Sequence, residues 1–216
     1  MLNELDHELE RRGHRFVRYA DDMMIFCRSK RAAERTLERL KPYIEGKLFL
    51  KLNEQKTKIC RVTDPELKFL GFGFWLSRNG VKARPHQKSQ AKCRLRLKAL
   101  TSRSRGQSLD AFRKELRAFV RGWVNYFRAS SMNSFVKETD EWLRRRIRQI
   151  YWKQWKKVRT KYAALRKLGA PEGKAWEWAN TRKSNWRTAN SWILSTTLNN
   201  GTLRKLGWTC LGDVYH

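Results

Sequence analysis

The period of the apolar residues changes once, at Pro85, and this change limits the fold more than any other feature of the chain. Beyond Pro85, apolar side chains recur at helical steps. Leu109, Phe112, Leu116, Phe119, Val120, Trp123 and Phe127 form one continuous stripe, with Ser108 placed to cap the helix and Asp110 in its first turn, where a carboxylate complements the helix dipole. A basic helix is predicted over 88–100, followed by a polar, Arg-bearing loop over 101–107. A third helix is predicted to start at Asn133 or Ser134, since Val136, Asp140, Leu143, Ile147, Ile150, Gln154 and Val158 repeat at helical intervals. Gly169-Ala170-Pro171 breaks the pattern, and only short helices are expected around Trp176 and Trp192.

Before Pro85, short β-prone runs surround one helical segment. Met1 to Gly13 reads as an amphipathic helix bearing Glu4, Asp6, Glu8 and Glu10. Residues 15–19 and 23–27 are apolar runs flanking Ala20-Asp21-Asp22, a hairpin with carboxylates at its tip. Ser29 is placed to cap a helix carrying Ala33, Leu37, Leu40 and Ile44, which Pro42 should kink or divide. Residues 48–52, 58–62 and 67–76 read as further strands, the last with Gly71 and Gly73 where a bend or close packing is expected. The fold class is therefore α+β, with expected divisions at 1–86, 87–160 and 161–216.

Charge falls unevenly on this frame. The 216 residues hold 49 Lys plus Arg against 20 Asp plus Glu, a formal +29. Residues 1–85 carry 19 basic and 12 acidic side chains, which leaves 30 against 8 for the helical part, and nine of the ten Trp lie there too. So many large apolar side chains exclude a disordered chain, and so large a positive field calls for a polyanionic partner. Cys27, Cys60, Cys93 and Cys210 form no metal-ligand spacing and read as small buried residues in a reducing cytoplasm. No apolar run approaches the roughly 20 residues that span a bilayer, so no membrane partner is expected. His7, His14, His86 and His216 share no ligand spacing and read as surface residues.

Two constellations carry chemistry. Adjacent carboxylates such as Asp21 and Asp22 repel unless a cation such as Mg²⁺ neutralises them, although an Asp-Asp pair in a hairpin is usually just a solvated turn. Lys92, Arg94, Arg96, Lys98, Arg103, Arg105, Arg121, Arg144, Arg145, Arg148 and Lys156, interleaved with Trp152 and Trp155, combine phosphate-neutralising charge with flat rings that stack on unpaired bases. Structured RNA suits that mixture; solvated helix faces and core tryptophans are the plainer alternative. Gly122 inside a good helix costs roughly 1 kcal/mol relative to Ala, which would be explained by close approach of another helix or of an RNA backbone.

The order of certain short motifs is more specific. Tyr19-Ala20-Asp21-Asp22, then Leu52-Asn53-x-x-Lys56-Thr57-x-Ile59, then Phe69-Leu70-Gly71-Phe72, resemble the last blocks of a reverse-transcriptase palm. Arg121-Gly122-Trp123-x-Asn125-Tyr126-Phe127, followed by Trp142-Leu143-Arg144-Arg145-Arg146 and Trp152-Lys153-Gln154-Trp155, is similar to the maturase-specific thumb region of bacterial group II intron-encoded proteins. The resemblance covers about Leu2 to Lys157. It implies that Asp21 and Asp22 are metal ligands of a polymerase site using Mg²⁺, with Asp21 the more direct ligand, and that Lys56 lies near the phosphates of an incoming nucleotide. It also implies group II intron RNA as partner, with DNA target and primer as further ones, in a bacterial cytoplasm.

The departure from that family is an absence. A palm needs a further metal-binding aspartate and fingers from earlier in the chain, and Glu4, Asp6, Glu8 and Glu10 do not substitute for it. The chain is expected to resemble a C-terminal portion, inactive as a polymerase unless an upstream half acts with it. Two functions stay open: part of an RNA-directed DNA polymerase that also assists splicing, or a non-catalytic RNA-binding maturase. An unrelated basic protein of ribosomal type would not need the three ordered palm motifs.

Overall fold

The computed structural model describes residues 2–216, and Met1, the first residue of the predicted N-terminal helix, lies outside them. The chain divides into two compact units, one ending at His86 and the other spanning Gln87–His216.

In the first unit, α1 (Leu2–Arg11) and α2 (Lys30–Pro42) cover one face of an antiparallel hairpin, β1 (Arg15–Tyr19) and β2 (Asp22–Phe26). Leu5, Leu9, Leu40 and Leu48 form the core, with Phe16, Met23 and Ile25 packed onto it from the hairpin. Ser29 caps α2 by accepting from the Ala32 N–H at 3.2 Å. As expected, Pro42 ends the regular helix, and Tyr43–Lys47 continues as one π-helical turn. Two acids of α1, Asp6 and Glu8, are engaged by arginines. Asp6 accepts from Arg18 Nε at 2.7 Å, and the hydrogen bond from Arg11 is the main reason the Glu8 carboxyl lies as low as about 2.

The predicted strands over 48–52 and 58–62 do not form. Phe49 adopts φ +53°, a conformation a strand does not accept, and its ring is 87% exposed. Asn53 then organises a local turn: its backbone carbonyl accepts from Lys56 and Thr57 N–H at 3.1 and 3.0 Å. Of the third predicted strand only Phe72–Ser77 is regular (β3), and it pairs with β4 (Gly80–Pro85) across Arg78-Asn79. Gly71 takes φ +84°, and a Cβ on Gly73 would stand 3.3 Å from the His86 ring. His86 is buried rather than on the surface, and its Nε2–H donates to the Pro65 carbonyl at 2.9 Å.

The second unit is helical. α3 (Gln87–Leu100) buries Cys93, Leu97 and Leu100, and α4 (Leu109–Phe127) buries Phe112, Leu116, Val120, Val124 and Phe127 under the expected Ser108 cap. α5 (Asn133–Gln154) is the central helix, with buried residues on more than one side. It stops short of Val158. Trp155 leaves helical geometry at ψ 63°, its ring against Tyr151 and Trp152 at centroid distances of 5.9 and 6.0 Å, and α6 (Val158–Lys167) starts afresh. After the Gly169-Ala170-Pro171 break come α7 (Glu172–Ala179), α8 (Asn185–Ala189), α9 (Trp192–Thr197), α10 (Asn200–Lys205) and α11 (Gly212–Tyr215). This tail packs in the same unit as residues 87–160, joined to α5 by the Trp208 Nε1–H bond to Tyr151 Oη at 2.9 Å. Among the described residues no helix is long and apolar enough to cross a membrane.

Burial pushes the Cys93 and Cys210 thiols up to about 12, which makes them inert packing groups, as the sequence predicts. Cys27 is half-buried and Cys60 is exposed on the loop, so the expectation of burial fails for Cys60.

Candidate nucleic-acid interface and carboxylate turn

Cross-strand pairing places Tyr19 opposite Asp22, closing the β1–β2 hairpin through the two residues Ala20 and Asp21. Ala20 sits at φ +54°, in the left-handed region that L-residues other than Gly, Asn and Asp rarely enter. Alternation along the strands then decides what each face does. Phe16, Met23 and Ile25 face the core, whereas Val17, Tyr19 and Asp22 are exposed on the opposite face, as is Asp21 in the turn. Both carboxylates therefore project at an open tip.

Carboxylate oxygens are the hard donors that Mg²⁺ prefers, so the pair fits part of a Mg²⁺ shell. Among the described residues no group of three or more His, Cys, Asp or Glu side chains is placed to hold a metal ion, so the two carboxylates stand without a third side chain of these types. Lys56 is exposed in the Asn53 turn, held by its backbone N–H rather than by its ammonium group.

The basic residues singled out from the sequence divide into two groups. Lys92, Arg94, Arg96 and Lys98 lie on the exposed side of α3, with Arg103 in the loop that follows, and Arg121 and Lys156 are exposed as well. Arg94 pairs with Glu138 at 3.0 Å and Arg105 with Glu115 at 2.8 Å. Lys92, Arg96, Lys98 and Arg103 make no ion pair among the described residues, although Arg96 lies near enough to Glu115 to help hold that carboxyl below its ordinary value.

The α5 group, read from the sequence as a phosphate-facing stripe, is different: its side chains are engaged within the protein. Arg144 leans on the buried Asp140 at 3.4 Å. Arg145 donates to the Trp186 carbonyl at 3.1 Å and lies 3.8 Å over that residue's ring. Arg148 donates to the Leu198 carbonyl at 3.0 Å, and burial lowers its pKa. Trp152 is 2% exposed with the Lys161 ammonium 4.6 Å over its ring, so it has no face to offer a base. Trp155 is half-buried against its neighbours. The exposed tryptophans among the described residues are Trp176 and Trp192, at 60% and 66%, which the sequence marks only as centres of short helices. Trp192 opens α9 and Trp176 lies within α7, and in helices this short the sequence carries no signal of exposure because the packing partners come from elsewhere in the chain. Gly122 faces open space within 4 Å, so no neighbouring helix explains it.

An aspartate-tipped hairpin covered by two helices, and a helical unit presenting a basic helix, are the elements expected of a palm segment and of a thumb. Comparison with known families agrees at both ends. Residues 1–74 match the family described as reverse transcriptase (RNA-dependent DNA polymerase), and residues 90–169 match the group II intron maturase-specific domain. The chain belongs to the group II intron-encoded reverse transcriptase/maturase family. Two relatives are both named group II intron-encoded protein LtrA, one from Lactococcus lactis subsp. cremoris and one from its strain MG1363. Each is 38% identical over 68 residues, which is 31% of this chain and 11% of the relative.

Proposed function

We propose that this chain binds group II intron RNA through the outer face of α3 and the loop after it, and so assists folding of the intron for splicing. The observation that carries this reading is the set of unpaired cations, Lys92, Arg96, Lys98 and Arg103, inside the segment matching the maturase-specific domain. Each cation that neutralises a phosphate releases condensed counterions, so affinity should fall steeply with salt. Replacing these four residues together by Gln is expected to lower the slope of log K against log[salt] for a group II intron RNA by about 3. A variant that keeps the wild-type slope and affinity would remove α3 from the interface.

We assign Asp21 and Asp22 to metal binding in RNA-directed DNA synthesis, with Lys56 beside the nucleotide phosphates and a DNA primer and target as further partners. Mg²⁺, when bound, would activate the attacking oxygen and neutralise the leaving one. The chain's own part is to hold two carboxylates at the open hairpin tip, with Asp22 fixed by its pairing to Tyr19. With only these two protein donors, the purified chain is expected to show no primer extension on an RNA template with Mg²⁺ and deoxynucleotides. Sustained extension would show that the hairpin pair suffices.

A further inference from the structure

α4 and the end of α10 enclose a groove of about 520 Å³, separate from the α3 face, lined by Arg113, Lys114, Arg117, Arg121, Lys205 and Gly207. One carboxylate, Asp110, stands among five cations. We propose that this groove is a second RNA site, which takes a stretch of phosphodiester backbone and is completed by the C-terminal tail. It rests on the reading of the chain as an RNA-binding maturase.

Two guanidinium groups are already in place. Arg113 donates to the Leu206 carbonyl at 2.7 Å and to Asp110 at 2.5 Å, and Arg117 donates to the Gly207 carbonyl at 3.2 Å. These carbonyls lie just past the last turn of α10, where a helix leaves acceptors unsatisfied. A guanidinium has five N–H donors, so both arginines keep donors for a phosphate while their side chains are already ordered. Lys114, Arg121 and Lys205 make no ion pair or side-chain hydrogen bond among the described residues, so they supply uncommitted charge along the rim.

Gly207 forms the floor between the two arginines, and its backbone favours glycine. It adopts φ +83°, and a Cβ there would lie 3.6 Å from Arg113 Cδ and 3.8 Å from Arg117 Nη2, filling the space between the two arginines. A linear polyanion fits such a groove better than a compact anion, because the cations are spread over more than two turns of α4 and the end of a second helix. The matched maturase-specific segment, residues 90–169, contains all of α4, which favours RNA over DNA as the source of the phosphates.

The test uses the full chain and a group II intron transcript. In Lys114→Gln/Arg121→Gln/Lys205→Gln, which breaks no internal bond, the salt slope is expected to fall by about 2 with the thermal transition unchanged. In parallel, acetylation of wild-type lysines is read by mass spectrometry with and without the transcript, a measurement that does not depend on the variant folding. Protection of Lys114 and Lys205 supports the groove, even if Lys92 and Lys98 stay reactive and the α3 assignment falls. Protection of Lys92 and Lys98 alone would overturn the groove and leave the α3 reading intact, and protection of none would overturn both. Equal protection by a DNA strand of the same sequence at the same concentration would overturn the assignment to RNA.

Discussion

Trp152→Ala is expected to destabilise the helical unit by about 3–5 kcal/mol, the usual range for emptying a buried Trp site. The ring is 2% exposed, meets Trp155 at 6.0 Å and lies under the Lys161 ammonium, so truncation leaves a cavity bounded by α5 and α6. A loss of that size removes much of the 5–15 kcal/mol by which domains are typically stable. Urea unfolding followed by far-ultraviolet circular dichroism measures it. Trp192→Ala is the matched control, since its ring is 66% exposed and its loss should leave the midpoint nearly unchanged. A Trp152 variant with wild-type stability and weakened RNA binding would show that the ring stacks on a base after all.

The contrast between α4 and α5 shows what a sequence can and cannot reveal. α4 carries one apolar stripe, so its buried Phe112, Leu116, Val120 and Phe127 follow from spacing alone. α5 is covered on more than one side, and a ring at position 152 looks the same in sequence whether it meets a base or is covered by Trp155 and the Lys161 side chain of α6. The same covering explains the arginines. Arg145, Arg148, Arg113 and Arg117 donate to the carbonyls of Trp186, Leu198, Leu206 and Gly207 in the tail, and Arg146 donates to those of Lys98 and Thr101 at the end of α3. Short helices leave many C-terminal carbonyls unsatisfied, and here arginines from longer helices satisfy them. Part of the positive excess of residues 86–216 is therefore structural, which charge arithmetic has no means of separating from RNA contacts.

In the first unit, the aspartate hairpin was legible because its two apolar runs and two-residue turn are local. The strands expected at 48–62 failed because alternation alone does not reveal a positive φ at Phe49 or a side-chain-directed turn at Asn53. β4 has a local signal in the sequence: Asn79-Gly80 is a dipeptide typical of tight hairpins, and it stands where β3 turns into β4. The ordered palm motifs identified the family correctly even so, since motif order survives errors in secondary structure.

Asp140→Ala is expected to free the C-terminal tail from α5. Asp140 is 2% exposed and accepts from the backbone N–H groups of Leu211 at 2.8 Å and Gly212 at 2.9 Å, and Arg144 stands 3.4 Å away. Removing the carboxylate orphans two donors at about 1–3 kcal/mol each, for a total of about 3 kcal/mol. Burial pushes the Asp140 carboxyl above its ordinary 3.8, against the opposing pull of the Gly212 and Leu211 N–H bonds and of Arg144. With its folded pKa above the unfolded one, the folded chain binds the proton first, so this group adds stability as pH falls through the interval between the two values. The alanine variant lacks that gain, and its deficit relative to wild type should widen on acidification through that interval. Chemical denaturation at neutral pH and across the acid range reads the difference. A deficit that narrows instead would show that the N–H bonds dominate over burial and hold the carboxyl below its ordinary value. Because Asp140 anchors the segment that follows Lys205 and Gly207, the same variant should also weaken binding in the α4–α10 groove, while leaving the cations of α3 in place.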